Sequence, residues 1–315
     1  MRAAVARRYG PPEVVHVDDV PDPVPRPGEV LVRVRAAAVT VADARIRGSR
    51  FPAGFRLLAR LGLGLRRPRR PILGGVYSGV VEAVGPDVTG LSPGDEVAGM
   101  TGGRMGTHAE LVVVPTERAV PKPGGVSHED AAAVPFGGTT ALHYLTRRAT
   151  VTDGTTVLVV GASGAVGTSV VQLARHLGAT VTGVTSTPNL DLVRRLGAQH
   201  VVDYTTTPVA ELTGRYDVVV DVVGALSTRA GRRLLTDDGV LLLVTGTFGQ
   251  TITSFGRVRS GPAPEKPEDV AELLRLLADG ELDPVVESVG GLDDVAAAHA
   301  RIDTGRKVGN IVVTP

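Results

Sequence analysis

Apolar residues along the chain fall into two rhythms. Up to about residue 121 they come in short runs, AAVARRYG, VVHVDDVP, EVLVRVRAAAV, GVYSGVVEAVG, DEVAGM and HAELVVVP, cut by proline and glycine. Short β-like runs at that spacing predict a small antiparallel barrel. From about residue 131 to 280 the apolar strands VLVVGA, TVTGVTS, HVVDY, YDVVVDVVG and GVLLLVTG alternate with helical text such as TSVVQLARHLG. That alternation marks parallel βαβ units. After the helix EDVAELLRLLADGEL come DPVVESV, the helical LDDVAAAHARIDTG and a last strand, NIVVTP, in which the texture of the first region returns. The pattern predicts an α/β protein in which residues 1–120 and 284–315 form one domain and residues 121–283 a parallel-sheet domain.

One stretch carries chemistry. The predicted strand 157–160 runs into Gly161-Ala162-Ser163-Gly164-Ala165-Val166-Gly167, where a helix begins. Gly164 lacks a side chain where a pyrophosphate must approach the backbone, Gly167 allows close helix-to-strand packing, and the helix N-terminus offers free N–H groups and positive dipole. With a strand before it, a helix after it and a second strand at the proper distance, the motif reads as a dinucleotide site. NAD-using domains of this kind place an Asp or Glu about 20 residues further on, against the ribose 2′-OH. Here the second strand ends Gly183-Val184-Thr185-Ser186 with no acid. Thr185, Ser186 and Asn189 can all donate hydrogen bonds to a phosphate, so NADPH is the expected cofactor.

Composition narrows the partners. A length of 315 residues suggests two domains. Five Tyr, five Phe and no Trp argue against a stacking platform for single-stranded nucleic acid. With 34 basic and 33 acidic side chains, no global field draws the chain to nucleic acid or to an anionic membrane. The absence of cysteine excludes disulfides, thiolate zinc sites, iron–sulfur clusters and a cysteine nucleophile. No stretch approaches a membrane span and MRAAVARRYG has no signal-peptide core, so a cytoplasmic protein acting on a small molecule is expected. Residues 56–71, RLLARLGLGLRRPRRP, are a local exception with six arginines. They read either as a solvated helical flap or as a docking patch for an acidic partner such as an acyl carrier protein.

The segments YGPPEVVHVDDVPDPVPRPGEVLVRVRAAAV, PILGGVYSGVVEAVGPDVTGLSPGDEVAG, AAAVPFGGTTALHYL, GASGAVGTSVVQLARHLGA, LGAQHVVDY and GNIVV cover nearly the whole chain. Together they resemble the medium-chain dehydrogenase/reductase superfamily, and within it the zinc-independent, zeta-crystallin-like quinone oxidoreductases. The resemblance implies a Rossmann doubly wound parallel sheet plus a GroES-like β-barrel domain, a cleft between them where nicotinamide meets substrate, and a homodimer built through the Rossmann sheets. In zinc-dependent relatives a cysteine, a His-Glu pair and a second cysteine stand where this chain has Thr40, Gly75-Val76 and, approximately, Phe136. Those residues cannot form a tetrahedral nitrogen and sulfur site, so no metal is expected. Hydride transfer to a quinone or an enone does not need one, because the acceptor is already electrophilic and positioning plus a donor to the developing oxyanion can suffice.

The resemblance also assigns residues. Thr40 is the expected oxyanion donor, where the family commonly has Asn, although capping a strand end is an equal reading of it. Asp43 is expected to orient its neighbours. Thr140 matches a position near the nicotinamide and can also serve as a helix N-cap. Ser163, Gly164, Ala165, Val166, Thr185, Ser186, Asn189 and Asn310 complete the expected cofactor set with Tyr204, which matches a position beside the 2′-phosphate. Asn189 stands where the family usually has a lysine, and Arg306 and Lys307 are candidates to replace that charge. Val76 replaces a customary acid, and residues 247–267 are a shortened segment. Seven histidines are scattered without metal spacing. His108 is expected on a surface loop, with a place in the cleft lining as the alternative, and His143 and Tyr144 face either the cleft or helix packing. Three functions remain open: an NADPH-dependent reductase of quinones or α,β-unsaturated carbonyls, a pathway-specific enoyl reductase or repurposed biosynthetic enzyme, and a non-catalytic NADPH-binding sensor or scaffold.

Overall fold

A computed structural model describes residues 1–288 and 290–315. The first region builds strands β1 (Arg2–Ala6), β2 (Val15–Asp19) and β3 (Glu29–Val39), then helices α1 (Val41–Gly48) and α2 (Arg56–Leu63), then β4 (Val76–Val84), β5 (Glu96–Met100), β6 (Leu111–Pro115) and β7 (Val120–Pro121). Helix α3 (His128–Leu142) leads into β8 (Thr156–Val160), α4 (Ala165–His176), β9 (Thr180–Thr185), α5 (Leu190–Arg195), β10 (His200–Asp203) and β11 (Tyr216–Asp221). There follow α6 (Thr228–Arg233), β12 (Leu235–Leu243), α7 (Phe248–Ile252), β13 (Val258–Ser260), α8 (Pro267–Ala278), β14 (Val286–Ser288), α9 (Val295–Asp303) and β15 (Asn310–Val313). The strand read from DPVVESV extends in sequence to Val289, which lies outside the described residues.

Strands β8 to β13 form one six-stranded sheet in the order β10-β9-β8-β11-β12-β13, with every pairing parallel. Counted within the sheet this is the doubly wound order 3-2-1-4-5-6, and it reverses between β8 and β11. Ligands of such sheets bind in the crevice outside the strand C-termini at that reversal. β8 can occupy the centre because TVLVV is apolar on both faces, as a strand covered by helices on both sides must be.

The seven-stranded sheet takes the order β14-β15-β3-β4-β5-β7, with β6 also on β3. It is a GroES-like half-barrel, antiparallel except where β14 lies parallel to β15. β3 alternates at its start, with Val30, Val32 and Val34 buried, and ends in the fully buried Ala36-Ala37-Ala38-Val39. That change follows from its neighbours, since the alanine end is where α3 lies across the sheet. The closing strand β15 pairs antiparallel with β3, Ile311 opposite Val39.

α3 is the element common to both sheets. Ser127 caps its start by accepting a hydrogen bond from Asp130 N, and a π-helical turn over residues 143–148 extends its end. Ala132 and Ala133 pack with Ala36 and Val312, while Ala131 joins Ala38, Val76 and Ala98. On the other side Gly137 sits so close to α4 that a Cβ there would lie 2.4 Å from Ala165 O. Thr140 lies near the C-terminal end of this helix and donates to Phe136 O at 2.9 Å, so the alternative that it caps a helix N-terminus does not hold. Tyr144 is buried, its hydroxyl donating to Gly261 O at 2.6 Å, and burial pushes its pKa up to about 12. Among the described residues no helix is long and apolar enough to cross a membrane.

The turn between β8 and α4 supplies a stability test. A Cβ on Gly167 would meet Gly161 O at 2.1 Å and Ala162 C at 2.9 Å, both backbone atoms that cannot swing aside. Gly167→Ala gains about 1 kcal/mol of helix propensity and loses more to overpacking, of order 1–3 kcal/mol. A lowered urea midpoint with an unchanged slope is the expected outcome; an unchanged or raised midpoint would show that the turn has slack.

Candidate active site

The reversal of the parallel sheet lies between two glycine-bearing loops. After β8 the chain turns at Gly161, φ +89°, and reaches Gly164, which caps α4. A Cβ added to Gly164 would find nothing nearer than Gly161 O at 3.8 Å, so this side of the turn is open where Gly167 is closed. An open backbone cradle at a helix N-terminus, its first N–H groups lacking intrahelical partners, fits a dinucleotide pyrophosphate. After β11 the buried Asp221 carboxylate accepts from Val223 N, Gly224 N and Leu226 N at 3.0, 2.8 and 2.7 Å. It holds the facing loop in shape.

Beside the turn four uncharged polar residues meet. Ser163 Oγ accepts from Thr185 Oγ1 at 2.8 Å and from Asn189 Nδ2 at 3.3 Å, and the same amide reaches Ser186 Oγ at 3.2 Å. Tyr204 joins through its backbone, donating to Thr185 O at 3.0 Å, and leaves its ring half-exposed. β9 itself ends without an acid, but the register sets Asp203 of β10 opposite Thr185. That carboxylate accepts from Thr187 Oγ1, Thr205 Oγ1 and Thr205 N, and these hydrogen bonds hold it below the usual carboxylate range. An anion therefore stands one strand away, which the reading of β9 alone did not include.

The C-terminal segment returns to the same turn. Gly309 N donates to Ser163 O at 2.9 Å, and Gly309 bridges Gly164 in parallel. Asn310 is buried with its amide donating to Pro284 O at 2.7 Å, so its side chain serves the chain's own backbone. Lys307 donates to Gly309 O, and burial pushes its ammonium down to about 8 against the raising influence of Glu287. Arg306 is exposed. Of the two replacement cations, only Lys307 is tied to the residue that touches the glycine turn.

Thr40 and Asp43 form a capping box at the start of α1. Asp43 Oδ2 accepts from Thr40 N at 2.8 Å and Thr40 Oγ1 at 2.6 Å, and its Oδ1 accepts from Gly74 N at 3.0 Å. A carboxylate only accepts, so the Thr40 proton points at Asp43 and not into the cleft. Among the described residues three threonine hydroxyls are buried without a hydrogen-bond partner, those of Thr101, Thr107 and Thr245. Thr245 stands just past the C-terminal end of β12, its Oγ1 near Gly224.

His108 is fully buried, which corrects the surface-loop expectation. Gly74, at φ +91°, lets the chain pass so closely that a Cβ would lie 2.5 Å from the His108 ring. His108 Nε2 lies 3.2 Å from Ala38 O. Its ring packs edge-on against His299, 6.0 Å between centroids, and neither nitrogen of His299 has a hydrogen-bond partner. Burial, with His108 and Arg47 alongside, pushes His299 down to about 2. His143 is also buried, with Arg148 Nε donating to its Nε2 at 3.1 Å, and burial lowers its pKa.

The places at which relatives carry zinc ligands can now be located. Val76 and Phe136 meet in one apolar cluster with Ala38, Ala98 and Met100. Among the described residues no three His, Cys, Asp or Glu side chains converge on a point.

Comparison with known proteins agrees with this architecture. A family model described as alcohol dehydrogenase GroES-like domain matches residues 26–124, and one described as zinc-binding dehydrogenase matches residues 196–313. A quinone oxidoreductase of Pseudomonas aeruginosa is 33% identical over 98% of this chain and 97% of its own length. The chain belongs to the medium-chain dehydrogenase/reductase superfamily, among its quinone oxidoreductase-like members. A chloroplastic NADPH-dependent alkenal/one oxidoreductase of Arabidopsis thaliana is 30% identical over all of this chain and 80% of its own length. The solved quinone oxidoreductase of Coxiella burnetii superposes with a TM-score of 0.89 at 28% identity, covering 100% of this chain and 99% of that one. As a member of the superfamily this medium-chain oxidoreductase binds a nicotinamide cofactor and acts on a small molecule.

Sequence reasoning missed Thr245, Asp221 and the His108–His299 contact. The first two carried a usable signal, because both stand at or just after the C-terminal end of a parallel strand, where ligands of such sheets bind. The histidine contact carried none, since it joins residues from opposite ends of the chain.

His299 gives a pH test. Its native pKa lies below its ordinary value of 6.5, so between about 6.5 and about 2 the unfolded chain binds one proton more than the native protein. Stability from this group is full above pH 6.5 and falls as pH drops, by up to about 1.4 kcal/mol per pH unit. His299→Leu is expected to lose that component. The stability gap between variant and parent, read from urea titrations between pH 7.5 and pH 5, should shift in the variant's favour as pH falls; parallel profiles would refute a native histidine held neutral.

Proposed function

We propose that this oxidoreductase uses NADPH to reduce a quinone or an α,β-unsaturated carbonyl, and does so without zinc. The observation that carries the reading is the apolar cluster that holds Val76 and has Phe136 packed against it, at the places where a metal's ligands would stand. An alcohol at that point would find nothing to lower its pKa, whereas an activated acceptor needs only placement and a polar contact for its oxygen. That the similar proteins of Pseudomonas and Arabidopsis are a quinone oxidoreductase and an alkenal/one oxidoreductase supports the same acceptor classes.

When bound, NADPH supplies the hydride. The chain's own residues do the rest. Ser163, Gly164, Ala165 and Val166 present the open turn and helix N-terminus to the pyrophosphate. Thr185, Ser186 and Asn189, with the Tyr204 ring, receive the 2′-phosphate through neutral donors. Thr140 and Asn310 shape the cleft from α3 and β15, their polar groups spent on Phe136 O and Pro284 O. Asp43 holds Thr40 and Gly74 in place. Thr245 offers an uncommitted hydroxyl for the substrate oxygen.

Cofactor choice follows from charge. Fluorescence titration is expected to show NADPH binding more tightly than NADH. Ser186→Asp should reverse that order, weakening NADPH by about tenfold or more through like-charge repulsion. Equal affinities in the unmodified protein would overturn the assignment.

Metal content is tested separately. Elemental analysis of the purified protein is expected to find no stoichiometric zinc, with NADPH-dependent reduction of a simple quinone unaffected by chelators. One tightly held zinc per chain, or loss of turnover on chelation, would sink the metal-free reading.

A further inference from the structure

Helix α2 inverts the usual orientation of an amphipathic helix. Leu57, Leu58 and Leu61 fall on one arc of about 100°, and they are 69%, 54% and 49% exposed. Leu65 continues the row past the helix end at 57%. The opposite face carries an arginine inward: Arg60 Nε donates to Ser49 Oγ at 2.9 Å, and its guanidinium lies 4.9 Å from the Tyr9 ring centroid. Tyr9 in turn donates to Gly64 O at 2.6 Å, which fixes the helix against the body with its leucines outward.

The charge beside this face is unbalanced. Between Asp43 and Glu82 the sequence contains no acid. Among the described residues none of Arg56, Arg60, Arg66, Arg67, Arg69 and Arg70 makes a salt bridge. Leu65, Arg66, Arg67 and Arg69 line a surface basin of about 720 Å³ with Arg7, which is itself paired with Asp18. The helix is anchored across the cleft rim, Phe55 packing edge-on against Phe248 of α7 at 5.3 Å while Phe248 N donates to Ala53 O at 2.9 Å.

We propose that α2 and the arginine-rich turn after it form a docking surface for an anionic phospholipid bilayer. The outward leucines on a convex helix suit insertion between acyl chains, and the unpaired arginines in the concave basin suit lipid phosphates. A bilayer offers both chemistries side by side, where an acidic protein would answer the arginines and leave the leucine arc without a groove. The surface sets the cleft rim against the bilayer, where apolar acceptors dissolve; that consequence alone rests on the acceptor class proposed above.

Flotation of the full chain, without cofactor or acceptor, with phosphatidylcholine vesicles and with phosphatidylcholine–phosphatidylglycerol vesicles tests the surface. The protein is expected to float with the anionic vesicles only, and less as salt rises. Both L57Q/L58Q/L61Q and R66Q/R67Q/R70Q alter exposed side chains, and each is expected to weaken binding by at least about tenfold. Three results would overturn the proposal: no flotation with anionic vesicles at low salt, undiminished flotation of the leucine variant, or a vesicle-free solution mass that halves in the leucine variant, which would assign the face to a second copy of the chain. Turnover of a short, water-soluble quinone without vesicles reads the reaction itself, so failure of either idea shows independently of the other.

Discussion

The width of the cleft is set by how closely one helix can approach its neighbours. α3 carries Ala131, Ala132, Ala133, Gly137 and Gly138 along its length, and at each of them something else comes within contact. The alanines meet the ends of β3 and β15, Gly137 meets the first turn of α4, and a Cβ at Gly138 would lie 2.6 Å from Leu273 of α8. Interiors packed at crystal-like density transmit such spacings without slack. Thr40 follows β3, Ser163 precedes α4 and Thr140 lies on α3 itself, so the spacing of all three derives from side chains no larger than a methyl group.

Two buried acids show a common device. Asp43 accepts from Thr40 N, Thr40 Oγ1 and Gly74 N, and Asp221 from the loop amides of Val223, Gly224 and Leu226. Each carboxylate accepts three hydrogen bonds from its own chain, and both fix the shape of a loop. The chain uses these two acids as scaffolding, whereas the contact beside the glycine turn is made of the neutral side chains of Ser163, Thr185, Ser186 and Asn189. Asp203, opposite Thr185, is the acid nearest to that contact along the sheet register, and its carboxylate is engaged by Thr187 and Thr205.

Much of this was legible because it is local. The glycine turn, the strand before it and the helix after it span about a dozen residues, and the Ser163–Thr185–Ser186–Asn189 contact follows once β8 and β9 are paired. What escaped depends on distant partners. His108 is buried only because Gly74 allows the chain to cross it and His299, from near the other end, covers it. Thr40 presents an ordinary capping sequence, and only the geometry shows where its proton goes. An N-cap stayed open as an alternative for Thr140 because Pro135 usually signals a helix boundary, whereas the helix begins earlier, at Ser127, and runs through that proline. Asp203 went unweighed because its neighbour across the sheet, Thr185, is 18 positions away in sequence.

The contact of Gly309 with the glycine turn has a mechanical consequence. It fastens the strand that closes the half-barrel sheet directly to the turn on the parallel sheet, by Gly309 N to Ser163 O. A shift of β15 along β3 would therefore pull on the backbone of the glycine turn through a single hydrogen bond. A second tie joins the same two layers where Phe55 packs edge-on against Phe248 and Phe248 N donates to Ala53 O, so the turn and the loop before α2 are held to the opposite layer by separate contacts.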